Sequence, residues 1–380
     1  MNKGGILCFI TSNGWMKSQY GDNLRYYLHE YTNPVLLIDF NQMRLFDNAI
    51  VETNILMFAK TKNVHKCKAC SFLNHDRDIV LTNLSNTVEK EFCTCNFTSK
   101  SAWTIGVQSE QHVKEKIESN GIIIERWPVT IYRGITSGCN AGFIIDGYTR
   151  ESIYTNATED EQRILDNTIF PILQGRNLKK YSYSYNDKYM IVTPRGYNID
   201  RTPALKKNML THYDALSNKS GNNEWYELQA SPSGTMLHNM HKEKIMWGEI
   251  SDKAKFTYDD GRYFAEATTF FMTADDNDVS LKYLLAILNS SLSEWYFHKI
   301  ATTTGMGTNR WKKYKLEQLP VSRPTKEQEQ QIVIIVDQIL QKKEVNVNAD
   351  TSALEHEIDK LVYQLYNLTP EEIAIIEQYF

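Results

Sequence analysis

Short, nearly continuous apolar runs and one amphipathic stretch alternate along the first sixty residues. The runs occupy residues 3–13, 34–40 and 45–58, and the stretch with helical spacing lies around residues 24–28. Apolar runs of this length are typical of strands buried inside a sheet that also packs against helices. The pattern therefore predicts strands of an α/β sheet in residues 1–60.

Residues 61–125 are more polar. They contain two short β-like runs, at residues 79–81 and 92–97, and an amphipathic helix around residues 111–119. We predict that this segment is a connector between two folded parts of the chain.

Residues 126–325 alternate strand-like runs with turns rich in Gly, Pro, Asn and Asp. The runs include residues 189–192, 244–247 and 268–272. The first helix of this segment is predicted at residues 159–168, before Pro171. A second is predicted at residues 281–300, where apolar residues recur at helical spacing. The fold class of the whole chain is therefore α/β, mixed with an α+β second domain.

The tail, residues 326–380, has the pattern of three helices. Apolar residues at i, i+3 and i+4 predict helices at 326–343 and 351–366, paired as an antiparallel hairpin. Thr369, Pro370 and Glu372 have the spacing of a capping box that begins a last short helix.

Charge is unevenly distributed over a chain whose formal net charge is −4. Residues 171–210 hold eight basic and two acidic side chains. Residues 295–326 hold seven basic and one acidic side chain, so each block has a net charge of +6. Residues 327–380 hold eleven acidic and three basic side chains. The two basic blocks either face a polyanion or form solvated faces of the protein.

Six cysteines stand at irregular positions, a pattern unlike a secreted disulfide scaffold. Cys67, Cys70, Cys93 and Cys95 have the pairwise spacing of zinc ligands, but only one residue separates the second pair. Free thiols are the favoured interpretation, and no metal is predicted. No apolar run reaches the roughly 18 residues of a membrane span, so we expect a cytoplasmic protein.

Two glycine-marked segments, residues 132–143 and 171–181, carry many side chains that can donate to phosphates or to base edges. The sequences of the two segments and their order along the chain resemble the target-recognition domain of adenine-specific (N6) DNA methyltransferases, especially the type IIG restriction–modification enzymes. Residues 1–60 resemble the C-terminal third of the catalytic fold of that family. The resemblance implies a connector at 61–125, a recognition domain at 126–325 and a helical tail at 326–380.

The family's catalytic motifs are missing from the sequence. In that family a glycine-rich turn holds S-adenosylmethionine, and an Asn-Pro-Pro-aromatic tetrapeptide holds the target amino group. The one Asn-Pro pair here, Asn33-Pro34, is followed by Val35. We therefore expect no cofactor and no catalytic residue in this chain, with S-adenosylmethionine bound only by the full-length enzyme. The expected partners are double-stranded DNA and a missing N-terminal methyltransferase or nuclease portion or subunit.

The resemblance also indicates site residues. Phe46 matches the position at which the family stacks an aromatic ring on the flipped base. The predicted DNA contacts, chosen because Arg, Lys and Asn can bind phosphates or base edges, are Arg133, Thr136, Asn140, Arg176, Asn177, Lys179, Lys180, Tyr181, Asn309, Arg310, Lys312 and Lys313.

Two other classes of function compete with DNA recognition. The predicted helical hairpin and the many aromatic residues also suit a non-enzymatic assembly module. An independent nuclease ranks last, because the sequence shows no Asp…Glu-x-Lys cluster placed on a strand and hairpin.

Overall fold

A computed structural model describes residues 1–41, 43, 45–46, 51–72, 77–97, 102–105, 108–276, 278–301 and 309–380. These residues form two compact units. The first consists of Met1–Gly121, Trp295–Arg310 and Tyr363–Phe380, and the second of Ile122–Glu294 and Trp311–Val362.

Strands and helices alternate along the whole described chain. The strands are β1 Ile6–Ser12, β2 Asn33–Asp39, β3 Thr53–Ala59, β4 Cys67–Ser71, β5 Cys93–Cys95, β6 Ile122–Ile123, β7 Val129–Arg133, β8 Ile144–Asp146, β9 Ile169–Leu173, β10 Leu178–Lys179, β11 Ser182–Tyr183, β12 Lys188–Ile191, β13 Lys244–Gly248, β14 Ile250–Ser251, β15 Phe256–Asp259, β16 Phe264–Ala265, β17 Thr269–Ala274, β18 Asn309–Arg310 and β19 Pro320–Val321. The α-helices are α1 Asp22–Tyr31, α2 Arg77–Thr82, α3 Leu84–Glu91, α4 Gln108–Asn120, α5 Asn140–Phe143, α6 Gly147–Thr155, α7 Glu159–Leu165, α8 Pro203–Leu210, α9 Tyr213–Ser217, α10 Gly234–Met240, α11 Leu281–Asn289, α12 Ser291–Ile300, α13 Lys313–Leu316, α14 Lys326–Val345, α15 Ser352–Leu365 and α16 Pro370–Glu377.

The first unit contains a five-stranded sheet in the order β1-β3-β2-β4-β5. Only β2 and β4 pair in parallel; the other pairs are antiparallel. The three apolar runs and the amphipathic stretch predicted in residues 1–60 form β1, β2, β3 and α1, so these predictions are confirmed. The mixed α/β fold class is confirmed as well.

Residues 61–125, predicted as a connector, supply β4, β5 and α4 to the first unit. The amphipathic helix is confirmed, with Val113 and Ile117 fully buried one turn apart on α4. The prediction of a β-strand at residues 79–81 is wrong, because these residues lie within α2. A run of three apolar residues does not fix a period, and Val80 reaches the core equally well from a helix.

The second unit contains two four-stranded sheets, ordered β15-β13-β17-β7 and β16-β9-β12-β8. Large apolar side chains of both sheets, among them Met246, Phe271 and Met190, share one core. The helix predicted at 159–168 is α7, but α5 and α6 precede it, so it is not the first helix of this segment. Asp146 caps the N-terminus of α6 by accepting the Thr149 N–H. Helix α6 was not predicted, because its apolar residues show only weak helical periodicity.

The helix predicted at residues 281–300 is interrupted. Ser290 adopts extended backbone between α11 and α12, and its Oγ accepts the N–H of Ser293. Beside the break, Asn289 bonds both the N–H and the carbonyl of Phe256, at 3.0 and 2.9 Å. Polar side chains next to the break thus satisfy backbone groups that a continuous helix or a strand partner would have satisfied.

The three tail helices are confirmed, and so is the capping box of Thr369 and Glu372. Helix α14 packs against α11, where Lys282 and Asp337 form an ion pair at 2.5 Å. Its apolar face is therefore covered by the core helix α11 of the second unit. None of the described helices is long and apolar enough to cross a membrane.

A fully buried ion pair lies in the second unit between β13 and β15. Lys244 Nζ is 2.6 Å from Asp259 Oδ2, and both side chains have no exposed surface. Lys244 also donates to the Met240 carbonyl at 2.7 Å, while the same Asp259 oxygen accepts the N–H of Gly261 at 3.1 Å. Burial lowers the pKa of Lys244, and the neighbouring carboxylate of Asp259 opposes that shift.

Candidate nucleic-acid interface

The first glycine segment begins where β7 ends, in the second unit. A Cβ on Gly134 would lie 2.1 Å from the Glu266 carbonyl oxygen, so only glycine fits at this crossing. Arg133 precedes it and is exposed, with its Nε donating to the Ala267 carbonyl at 3.0 Å. The close contact between the Gly134 and Glu266 backbones thus fixes the position from which the Arg133 guanidinium reaches the surface.

The rest of this segment is held by residues 229–230. The carbonyl of Thr136 accepts the Ala230 N–H at 3.3 Å, and the Thr136 side chain is half-buried. Asn140 is exposed, and its Oδ1 accepts the hydroxyl of Ser137 at 2.7 Å. Of the two predicted contacts, Asn140 is the more accessible to a ligand.

The second glycine segment makes a tight 3-10 turn at Gly175–Asn177. Asn177 is buried, and its Oδ1 accepts the Gln174 N–H at 2.8 Å. The side chain of Asn177 closes the turn from inside, and its role as a DNA contact stays a prediction. Arg176 is exposed and donates to the Gln174 side chain at 2.7 Å.

Tyr181, the last residue of the second glycine segment, is also buried. Its side chain is 2% exposed, and burial raises its pKa well above the usual range of tyrosine. Its backbone has a positive φ of 59°, and its N–H donates to the Phe256 carbonyl at 2.9 Å. Tyr181 anchors the end of the segment in the core, and its contact with DNA stays a prediction.

Lys179 and Lys180 differ in their surroundings. Lys180 Nζ lies 2.6 Å from Glu355 Oε2, with both side chains mostly covered. Lys179 is exposed, and its nearest polar contact is the neutral Asn348 amide oxygen at 3.5 Å. Lys179 is thus the one of the two that keeps its charge available to a phosphate.

We expect Lys179→Ala to lower affinity for all duplex sequences alike and to reduce the salt slope of binding by about one. Lys180→Ala should leave duplex affinity nearly unchanged and cost about 0.2–1 kcal/mol of folding free energy, as a partly exposed ion pair does. Fluorescence-anisotropy titrations at several salt concentrations and thermal unfolding of both variants measure the difference. Equal losses of affinity would contradict this assignment.

Two basic residues from distant parts of the sequence pair with Glu249, just after β13. Arg133 Nη2 lies 3.6 Å from Glu249 Oε2, and Lys312 Nζ lies 3.8 Å from Glu249 Oε1. The backbones of Gly175 and Gly248 touch beside it, since a Cβ on Gly248 would be 3.2 Å from the Gly175 Cα. Arg176, next to Gly175, joins the same corner of the second unit.

The framework of this corner is polar and well connected. The Gly175 N–H donates to Thr268 Oγ1 at 3.1 Å, and Thr268 bonds in turn to the Glu266 carboxylate. Glu249 donates its N–H to the Thr268 carbonyl at 3.0 Å, and its carbonyl accepts the Trp311 N–H at 2.8 Å. Glu249, Thr268 and Glu266 were not predicted from the sequence, where no spacing links them to the glycine segments.

The other predicted DNA contacts lie near residue 310. Lys313 is exposed at the start of α13 and forms an ion pair with Glu317 at 3.6 Å. Arg310 is exposed and belongs to the first unit. The loop at 302–308, predicted to contact the DNA backbone, and the side chain of Asn309 lie outside the described residues.

Phe46, the predicted stacking residue, lies beyond β2 in the first unit with 46% of its side chain exposed. An exposed ring is available for stacking, and this role stays a prediction. Its neighbours at residues 44 and 47–50 lie outside the described part of the chain.

The four cysteines considered as zinc ligands lie on β4 and β5. Cys67 pairs across the strands with Cys95, and the Cys93 and Cys95 sulfurs are 3.5 Å apart. Cys70 points to the opposite face of β4, since it is an odd number of residues from Cys67. Within the described ranges no three His, Cys, Asp or Glu residues are grouped as metal ligands. Burial raises the pKa of Cys67 to about 12, which favours the thiol over a metal-binding thiolate.

Comparison with known proteins gives two family matches. Residues 170–321 match the TaqI-like C-terminal specificity domain, and residues 1–46 match the Eco57I restriction-modification methylase. The chain is 20% identical over 407 aligned residues to the type II methyltransferase M.BstVI of Geobacillus stearothermophilus, covering 99% of this chain and 66% of that protein.

Solved structures show the same likeness. The type IIL restriction-modification enzyme MmeI, determined in complex with DNA, superposes with a TM-score of 0.60 at 12% identity, over 99% of this chain and 49% of the MmeI chain. The type IIG restriction endonuclease BpuSI superposes with a TM-score of 0.40 at 13% identity, over 96% of this chain and 47% of its own.

The chain therefore resembles a restriction–modification methyltransferase, as its sequence predicted. Its second unit contains most of the segment that matches the TaqI-like specificity domain, and its first unit begins with the segment that matches the methylase. The chain spans 66% of M.BstVI and 49% of MmeI.

Proposed function

We propose that this chain is the DNA-recognition portion of an adenine-N6 methyltransferase of a restriction–modification system, acting in the cytoplasm. The observation that carries the proposal is the pairing of Arg133 and Lys312 with Glu249 at one corner of the second unit, where Arg176 follows the Gly175 backbone that touches Gly248. Two of these three residues lie inside the segment that matches the specificity domain. Because Arg133 and Lys312 share the single carboxylate of Glu249, the corner keeps a net positive charge with which it can hold a duplex by its phosphates while neighbouring polar side chains read bases.

The remaining basic side chains indicate how much of the charge is available. In the first basic block, Lys180 and Lys188 form ion pairs with carboxylates from other segments, and Lys206 pairs with Asp200 of the same block. Arg176 and Lys179 bond to neutral amide oxygens and keep their charge for a ligand. The DNA-facing part of the block is therefore smaller than its net charge of +6 indicates.

Two segments of the described chain do not fit a site for S-adenosylmethionine. The turn after β1 places Trp15 and Met16 in the core, and Asn33 begins a strand with its side chain accepting the Val64 N–H at 3.1 Å. Neither supplies the glycine-rich cradle or the exposed amide of a methyl-transfer site. We propose that the donor is held by a further methyltransferase portion, which also supplies any nuclease activity, and that this chain orients the DNA.

The proposal is tested by duplex binding as a function of salt. Four phosphate contacts, by Arg133, Arg176, Lys179 and Lys312, predict a log–log slope of about −3.6, which is a roughly 150-fold loss of affinity between about 50 and 200 mM salt. Selection from a random duplex pool should also enrich one motif. A flat salt response with no enriched motif would favour the rival function, a protein assembly module.

A further inference from the structure

Two cysteine sulfurs lie next to each other on β5, in the first unit. Cys93 and Cys95 are two residues apart on this strand, so their side chains point to the same face of the sheet. Their Sγ atoms are 3.5 Å apart, and both residues are thiols. Because a disulfide joins its sulfurs at about 2.0 Å, a closing movement of about 1.5 Å would allow a bond between them.

The backbone of β5 can follow this movement. Two residues of a strand advance by about 6.4–6.8 Å, which lies at the upper end of the Cα separations found in disulfides. Strand β5 has three residues and is the last in the order of its sheet, where the described chain pairs it with β4. A short strand at the edge of a sheet can twist further, and stronger twist shortens this separation.

Hydrogen bonds hold the two sulfurs in line. The side-chain amide of Gln111, on α4, donates to Cys95 Sγ at 3.0 Å, and Cys93 Sγ donates to the Ala69 carbonyl at 3.4 Å. With its lone pair facing this amide, Cys95 can direct its own S–H to Cys93 Sγ. When Cys93 loses its proton, that S–H stabilises the thiolate, which is the form of cysteine that reacts with oxidants.

The thiols differ in their access to solvent. Cys93 is half-buried, whereas Cys95 has no exposed surface. Cys67, opposite Cys95 on β4, is also buried, its Sγ contacts the Lys68 carbonyl at 3.5 Å, and its high pKa keeps it protonated. A small oxidant therefore reaches Cys93 first, and the sulfur placed to react with it next is that of Cys95.

We propose that Cys93 and Cys95 form a site of reversible oxidation by hydrogen peroxide. The Cys93 thiolate attacks one peroxide oxygen, the O–O bond breaks, and hydroxide leaves as Cys93 becomes a sulfenic acid. The Cys95 sulfur then attacks the Cys93 sulfur, so that an S–S bond forms, the S–O bond breaks and water leaves. The two thiols lose two hydrogen atoms, and one peroxide is reduced to two water molecules.

The second thiol decides the fate of the first. A sulfenic acid without a neighbouring thiol is oxidised further to sulfinic acid, which is generally irreversible, whereas a disulfide is returned to two thiols by a dithiol reductant. Cys95 therefore protects Cys93 and makes its oxidation reversible. This site lies in the first unit and does not depend on the proposed DNA recognition.

The test treats the purified chain with hydrogen peroxide at the dose that oxidises half of Cys8, the exposed cysteine of β1. Remaining thiols are blocked with iodoacetamide before trypsin digestion and mass spectrometry. Trypsin cleaves after Lys90 and Lys100, so Cys93 and Cys95 are the two cysteines of one peptide. We expect this peptide to be unblocked and two hydrogen atoms lighter than its dithiol form, and dithiothreitol to reverse the change.

Two outcomes of this measurement would overturn the proposal. One is a peptide that remains blocked at both cysteines at the dose that oxidises half of Cys8. The other is a disulfide that links this peptide to the one containing Cys67, because the bond would then run across β4 and β5 and not along β5.

A substitution separates the attack by peroxide from the formation of the disulfide. Cys95→Ser leaves Cys93 without its second thiol, so the sulfenic acid of Cys93 should accumulate and be labelled by dimedone. The matched control is Cys70→Ser, which changes a buried cysteine of β4 and should keep the disulfide of the parent. Dimedone labelling of Cys93 in the control, or none in Cys95→Ser, would contradict the assignment. If a variant does not fold, as circular dichroism shows, the measurement on the parent chain decides.

Discussion

Replacing Lys244 with methionine is expected to lower the free energy of unfolding of the second unit by about 3–5 kcal/mol. The change removes the cation from a fully buried pair and leaves the Asp259 carboxylate in the core without its counter-charge. Guanidinium titration followed by tryptophan fluorescence measures the loss, because Trp247 lies on the same strand and is buried.

A double substitution separates charge from packing. Lys244→Met combined with Asp259→Asn removes both charges and keeps an acceptor for the Gly261 N–H. This variant should recover at least half of the lost stability, since apolar or neutral replacements of buried pairs are often nearly neutral. If the double variant is as unstable as the single one, packing of the lysine stem and not its charge stabilises the unit.

Replacing Arg133, Arg176 and Lys312 together with alanine is expected to lower duplex affinity by roughly 100-fold or more. Removing one charged hydrogen bond to a phosphate should cost on the order of 1–2 kcal/mol and should reduce the salt slope by about one. Titrations of labelled duplex at several salt concentrations measure both quantities.

A control with the same change in charge uses exposed cations elsewhere in the second unit. Alanine at Arg126, Arg163 and Lys242 removes three positive charges, and Lys242 precedes the start of β13 whereas Glu249 follows its end. This triple variant should bind within a few-fold of the parent. Similar reductions in affinity for both triple variants would indicate that net charge, and not the corner around Glu249, governs binding.

Strands β1, β2 and β3 were predictable because each lies in a continuous apolar run. The exposure of most β1 side chains was not, since an apolar run of this kind is typical of a buried strand. Shorter apolar runs gave wrong predictions. The three residues at 79–81 are part of α2, although they were predicted as a strand, because so short a run fits the helical and the strand period equally well. The break at Ser290 was not predictable, because apolar spacing continues through it and tertiary hydrogen bonds of Asn289 support it.

The candidate site was predictable in part. The two glycine segments identified where the exposed Arg133 and Arg176 lie. Whether a polar side chain next to a glycine points into the core or into solvent depends on the backbone geometry of the turn. Asn177 and Tyr181 point inward. Glu249 was missed because its ion pairs with Arg133 and Lys312 join residues far apart in sequence.

The interleaving of the two units has a consequence for synthesis. The first unit begins with Met1–Gly121 but is completed only by Tyr363–Phe380, where Glu372 on α16 forms an ion pair with Lys116 at 2.6 Å. Because the ribosome makes the chain from its N-terminus, every residue of the second unit leaves the ribosome before the first unit can close. A chain that stalls or terminates just after Val362 would therefore contain a complete second unit and a first unit without α16, the helix that carries the partner of Lys116, and would be a substrate for chaperones and proteases.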